Sequence, residues 1–265
     1  MKVYDFEYDG LVLSDMGYML CEFDFNGEKT ISNGSQITFN TVKTLHGQKH
    51  ELTSIEYTEC IASNFQICKI PCNNNNDYEI DSTELRNLTR WLNRRNYHKF
   101  KLLDDDFLDI YFESSFNINQ IKIGGKVYGL ELQMVTNRPF AVHEPIITKF
   151  NNRVSDGKFS INNISDEEGA IDTKVEIKIL QDGDITVTNE FNGNRTYIGN
   201  CKSGEIITMD NPIISTSLSS HKIQNDFNWK FIKLYNTYRN RKNSFIVSIP
   251  CEIIITYYPI VKVGI

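Results

Sequence analysis

The chain has 265 residues, 40% of them hydrophobic and 12% aromatic, and carries 28 Lys and Arg against 34 Asp and Glu for a net charge of −6. This apolar content excludes a wholly disordered chain, and the length suits two β domains of ordinary size. The acidic balance argues against a surface that grips nucleic acid or a membrane through clustered cations, and the six scattered cysteines read as free thiols rather than as a disulfide framework.

Met1 to Asp5 is not followed by an apolar leader segment, and no apolar run is long enough for a membrane span, so a cytoplasmic start is expected. Residues 1–30 alternate apolar and polar around Gly10, Gly17 and Asn26-Gly27, which predicts two hairpins. Ile37 to Leu45, then His46-Gly47-Gln48, then Glu51 to Tyr57 predict a third. This one is polar in places on both faces and poor in core residues, so it must lie on another surface to be stable. Ile61 to Ile70 is a strand ending at Pro71, and the tract Asn73 to Asn76 leads into the most regular stretch of the chain.

That stretch is Asp81 to Phe116. Asp81 and Glu84 have the spacing of a capping box, and Leu85, Leu88, Trp91 and Leu92 share one helical face. Arg86, Arg90, Arg94 and Arg95 are expected on the remainder of the cylinder. Strand-like runs follow: Phe100, Leu102 and Leu103, an acidic turn Asp104 to Asp106, then Leu108, Ile110 and Phe112 alternating with Asp109 and Tyr111. A further pair turns at Gly124-Gly125, and the first domain is placed at residues 1–141, with Pro139 and Pro145 marking a linker.

Residues 146–265 form the second domain. Lys174 to Leu180, Gln181-Asp182-Gly183-Asp184 and Ile185 to Thr188 have the pattern of a hairpin with an Asp-Gly turn. Turns recur at Asn192-Gly193 and Ser203-Gly204, and Phe245 to Ile249 and Glu252 to Tyr258 read as central strands, the spacing of a β-sandwich. Phe227 to Tyr238 is the one segment here with any helical period, although Phe227, Trp229 and Phe231 also alternate like one buried face of a strand.

The helix ending Leu88-Thr-Arg-Trp-Leu92, the step Tyr97-His-Lys-Phe100, the acidic turn and the strand Asp109-Ile-Tyr111 resemble the distal tail proteins of long-tailed bacteriophages. Phe6-Glu-Tyr-Asp-Gly10 with Ser14-Asp-Met-Gly17, and Gly124 to Leu132 closing on Arg138-Pro-Phe-Ala141, are similar to the same family, as are Gly204 to Ile207 and Asn243-Ser-Phe245 in the second half. The resemblance implies a mainly β fold: a split β-barrel-like first domain with one α-helix, then a galectin-like β-sandwich. It also implies a structural virion protein at the tail tip, made in the host cytoplasm. Its copies would form a hexameric ring between the tail tube protein and the tail-tip protein, with DNA passing through unbound and the hairpin arm belting a neighbouring subunit.

Gly124-Gly125 lacks the Lys-Ser/Thr of a phosphate loop, and His46 and His50 lack the helix and Glu of a zinc protease. Cys68, Cys72 and His98 fall short of a four-ligand zinc site, and Asp104, Asp105, Asp106 and Asp109 lack the Gly and terminal Glu of a calcium loop. No two carboxylates are paired by the sequence for polymer hydrolysis. The expectation is therefore no enzyme, cofactor or metal. Arg90, Arg94, Arg95, Asp104, Asp105, Val42 and His46 are the candidate subunit interface, in which guanidinium forks meet a neighbour's carboxylates. The alternative is a carbohydrate-binding module on the second domain, with Trp229 as its sugar contact.

Overall fold

The computed structural model describes residues 5–23, 36–43, 49–71, 78–107 and 109–263. Two units separate, Met1–Val142 with Val261–Ile265, and His143–Ile260.

In the first unit β1 (Phe6–Tyr8) and β2 (Leu11–Val12) form a hairpin about Asp9 and Gly10, both at positive φ. After β3 (Tyr18–Cys21) come the ribbon strands β4 (Ile37–Lys43) and β5 (His50–Tyr57), then β6 (Ala62–Lys69). β3 pairs with β6, and the second hairpin expected there turns at Asn26-Gly27, which lies outside the described residues. Helix α1 (Ser82–Leu92) is followed by β7 (His98–Leu102), β8 (Ile110–Ile123), β9 (Lys126–Thr136) and β10 (Ala141–His143). The sheet runs β2-β1-β7-β8-β9-β6-β3 with β10 on β8. Leu13 ties the β1–β2 hairpin to the start of β3, since its amide donates to Phe6 O and its carbonyl accepts from Tyr18 N.

The capping box at the start of α1 is complete. Asp81 Oδ1 accepts from Thr83 N and Glu84 N at 2.7 and 2.8 Å, and Glu84 Oε2 accepts from Asp81 N at 2.9 Å. Glu84 also pairs at 2.7 Å with the buried Lys69 on β6, which fixes the helix start to the sheet. Leu88, Trp91 and Leu92 are buried. The helix stops sooner than expected. Asn93 leaves helical geometry and donates from Nδ2 to Phe116 O at 2.7 Å, so Arg94 and Arg95 lie beyond the helix and not on its surface. Around Trp91 the rings of Phe6, Tyr8, Phe100 and Phe116 pack with centroids 5.1–6.2 Å apart, and Trp91 Nε1 donates to Tyr8 O at 3.0 Å. Here the alternation expected at Ile110 to Phe112 gives way to three successive buried residues, because both faces of β8 are covered; Tyr111 takes Lys99 over its ring.

The second unit comprises β11 (Ile146–Asn152), β12 (Gly157–Asn162), β13 (Gly169–Asp172), β14 (Lys174–Ile179), β15 (Gly183–Asn189), β16 (Asn194–Cys201), β17 (Ile206–Asp210) and β18 (Ile213–Thr216). A short helix α2 (Ile223–Asp226) precedes β19 (Lys233–Asn236), β20 (Lys242–Val247) and β21 (Cys251–Tyr257). A five-stranded sheet β11-β21-β14-β17-β18 and a four-stranded sheet β12-β20-β15-β16 share one core that includes Val175, Ile177, Ile185, Val187, Phe245 and Ile253. β21 and β20 are interior strands of their sheets, as expected.

The Asp-Gly hairpin is overturned. β14 pairs with β17 and β21, whereas β15 pairs with β16 and β20, so Gln181 to Gly183 carries the chain from one sheet to the other. Asp182 Oδ1 accepts from Ser203 N at 2.7 Å, which pulls this crossing onto the β16–β17 turn. The helical period in Phe227 to Tyr238 also fails: the helix lies before it, and the segment is loop except for a bridge from Phe227 to Ile198 and for β19.

Candidate subunit interface and surface sites

β4 and β5 form a two-stranded sheet of their own. The register pairs Ile37 with Tyr57 and Phe39 with Ile55, then slips by one residue between Asn40 and Thr41 so that Thr41 faces Leu52. Alternation places Ile37, Phe39, Leu52, Ile55 and Tyr57 on one face. Without this slip, regular alternation would place Thr53 on that face and Leu52 on the opposite one. The other face is polar: Asn40 Nδ2 donates to Ser54 Oγ at 2.9 Å and to Glu56 Oε1 at 3.3 Å. The ribbon is thus amphipathic near its base, while Thr41, Lys43 and His50 continue the apolar face, so that both faces are polar in places as the sequence suggests.

Its apolar face is exposed. Phe39 is 62% accessible, Ile55 56%, Leu52 51% and Ile37 42%. The base is tied down, where Tyr57 meets the Phe140 ring edge-on at 6.3 Å and Lys262 lies over the Tyr57 ring. Isolated two-stranded ribbons are marginal in water, and an exposed apolar face of this kind marks a contact surface.

The other predicted interface residues are dispersed. Val42 is exposed on the polar face of the ribbon, opposite Glu51, and His46 lies outside the described residues. Arg94 is held within its own subunit: Nη1 contacts Asp9 Oδ2 at 2.6 Å, Nε donates to Trp91 O at 2.9 Å, and the guanidinium lies over the Tyr8 ring. His98 stands 3.4 Å from the same Asp9. The sequence offers no motif for this cluster, because Asp9 is far from both partners along the chain. Arg90 and Arg95 are exposed and form no ion pair among the described residues. Asp105 is exposed, and Asp104 caps a short 3-10 turn by accepting from Phe107 N. Arg94 is therefore not free to meet this turn on a neighbour, while Arg90 and Arg95 are.

On the second unit Trp229 is 55% exposed and its backbone has φ 59°. It lies on a loop and not on a buried strand face, although Phe227 and Phe231 are buried. A left-handed backbone at a bulky residue costs about 1–2 kcal/mol. Asn228 holds it there: its Nδ2 donates to Arg195 O, and its Oδ1 accepts from Tyr197 N and Lys230 N.

A buried ionic relay near this loop has no counterpart in the sequence reading. Glu205 is fully buried and accepts from Lys202 N at 2.9 Å, Thr216 Oγ1 at 2.5 Å and His221 Nδ1 at 2.6 Å. Burial alone would raise its carboxyl, but these donors outweigh burial and hold it below the ordinary glutamate range. The His221 side chain is 5% exposed, and its Nε2 stands 3.2 Å from Asp226 Oδ2. Asp226 in turn accepts from Asn200 Nδ2 at 3.1 Å. Beside this relay is an open depression of about 430 Å³ lined by Asn200, Lys202, Leu218, Ser220, His221, Lys222, Asn225 and Asp226.

Among the described residues no group of three or more His, Cys, Asp or Glu is placed to hold a metal, and no helix is long and apolar enough to cross a membrane. Cys72, one of the thiols considered for zinc, lies outside the described residues, and His98 faces Asp9 rather than Cys68.

Two family models match the sequence, one described as a phage tail protein N-terminal domain over residues 1–138 and one as a phage tail C-terminal domain over residues 140–257. No curated protein matches it. Among solved structures, the chain is similar to the crystal structure of the SPP1 Dit protein, described as a paradigm of the hub adsorption apparatus in phages infecting Gram-positive bacteria. The TM-score is 0.67 at 12% identity, covering 97% of this chain and 99% of that one. At that identity the likeness is one of fold. The baseplate of phage P2 in its activated conformation with Ca gives a TM-score of 0.41 at 11% identity, covering 96% and 97%.

Proposed function

This chain belongs to the phage tail protein family, and from that premise we propose that it is the distal tail component whose copies close into a ring joining the tail tube to the tail tip. It is a structural component of the virion tail, with the fold of a Dit protein. The observation that carries the ring reading is the ribbon β4–β5. Its apolar face, Ile37, Phe39, Leu52 and Ile55, has no cover within the subunit among the described residues, and a second copy of the chain is the occupant that every subunit in an assembly can supply. Each copy then gives its ribbon to one neighbour and receives one from the other, a head-to-tail contact that closes as a ring.

Arg90 and Arg95 add a polar contact to the neighbour's Asp104 and Asp105. Six copies is the number the family resemblance implies, with the tail tube protein and the tail-tip protein as axial partners. The net charge of −6 suits a lumen that repels phosphate and lets DNA pass. The role asks for no catalysis or cofactor. Light scattering and electron microscopy of the purified protein test it. The intact chain is expected as rings with a central hole, and Phe39→Asp with Ile55→Asp as monomers of unchanged unfolding temperature. A monomeric intact chain, or rings that survive both substitutions, would refute the proposal.

A further inference from the structure

The second unit carries a polar surface of its own, separate from the β4–β5 ribbon. β16 is the outermost strand of the four-stranded sheet, and its outward row Arg195, Tyr197, Asn200 begins at the Trp229 loop and ends at the 430 Å³ depression. The volume lies in the range of small-ligand sites. Its lining offers amides at Asn200 and Asn225, a hydroxyl at Ser220 and ammonium groups at Lys202 and Lys222. With Leu218 as the apolar side chain beside them, these donors and acceptors match a ligand that presents both hydroxyls and C–H faces, as a sugar does.

Charge narrows the class. Lys202 is paired with Asp182 at 3.3 Å, and the Asp226 carboxylate is engaged by Asn200 and stands 3.2 Å from His221, whereas Lys222 is exposed at the rim with no ion pair among the described residues. The wall is braced from behind, because the buried His221 imidazole is hydrogen-bonded through Nδ1 to Glu205 at 2.6 Å; its Nε2 stands 3.2 Å from Asp226 Oδ2 without a hydrogen-bond partner among the described residues. At the other end of the row, Trp229 presents a half-exposed ring in a backbone conformation that Asn228 enforces. A flat aromatic face with a polar rim is suited to the C–H face of a sugar ring. From Tyr197 to Asn200 the strand covers roughly 10 Å, so one ring does not reach both ends.

We propose that this track binds an acidic oligosaccharide, with its anionic group at Lys222, its hydroxyls in the depression beside Asp226, and a further ring on Trp229. The larger part of this site lies at α2 and the β16–β17 turn, with Trp229 at its far end. The proposal is independent of ring formation, since a glycan surface captures a monomer and a ring alike.

A microbial glycan array probed with the full chain tests it, followed by titration of the best retained acidic glycan. Acidic glycans are expected above their neutral counterparts. Lys222→Gln is expected to remove that preference and Trp229→Ala to weaken binding roughly tenfold, the equivalent of one stacking contact. Both residues are exposed, and unchanged unfolding temperatures of the variants verify that the fold is intact. An array that retains nothing, equal retention of neutral and acidic glycans, or retention indifferent to both substitutions would each overturn the assignment.

Discussion

At the scale of single residues, Glu205 shows how a local charge becomes a stability term. Its carboxylate is fully buried with three donors, and those donors hold its pKa below the ordinary value of 4.5. A depressed folded-state pKa means that the contribution is fully present above the unfolded value and is lost as the pH falls through the folded one. The second unit is therefore expected to lose thermal stability on acidification below about pH 4. Glu205→Gln is expected to cost about 2 kcal/mol at pH 7, because one acceptor oxygen becomes a donor facing donors. The variant should also show a flatter acid limb, and thermal unfolding followed between pH 3 and pH 7 reads both effects. A Glu205→Gln protein with the stability and acid profile of the parent would remove Glu205 from this role.

At the scale of elements, the crossing at Gln181 to Gly183 decides the topology of the sandwich. Strand, Asp-Gly and strand fit a hairpin and a sheet-to-sheet crossing equally well, since alternation makes one face of each strand apolar in either case. The choice falls to pairing with β17 and β21 on one side and β16 and β20 on the other. Gly183 sits at φ 142°, a region that side chains avoid, with open space around its Cα. Gly183→Ala should therefore destabilise through backbone strain alone, by about 1–3 kcal/mol, measured as a lower urea midpoint with an unchanged slope. A neutral substitution would mean that the crossing tolerates a side chain. The ribbon is the opposite case, an element with regular pairing and no core of its own, whose stability belongs to whatever covers it.

At the scale of the whole molecule, two separate cores predict two unfolding events. The chain re-enters the first unit near its end, since Val261 and Val263 pack against the core that contains Trp91 and Leu92. Removal of the residues from Val261 onward is expected to lower the transition of the first unit and leave that of the second in place. Trp91 is buried in the first core and Trp229 is exposed on the second unit, so Trp91 fluorescence in a Trp229→Phe background assigns the transition. A shift confined to the other transition would contradict this role of the C-terminal valines. The family models meet near the boundary of the units, with matches over residues 1–138 and 140–257.

What could be read without coordinates was local. Asp81 and Glu84 announce the start of α1 because a cap needs only residues three apart, and Leu88, Trp91 and Leu92 announce its buried face for the same reason. The end of that helix was not legible, because Asn93 is drawn off by Phe116 O on a distant strand, and Arg94 is drawn off by Asp9. The apolar face of the ribbon depends on a one-residue slip at Thr53, and the Glu205–His221–Asp226 relay joins residues with no periodic relation. Period, caps and turns are written in neighbouring residues, so sequence alone determined the β class and the helix. Strand partners, register slips and buried ionic contacts are settled by free-energy differences between long-range pairings that share the same local pattern, and only the tertiary structure could decide them.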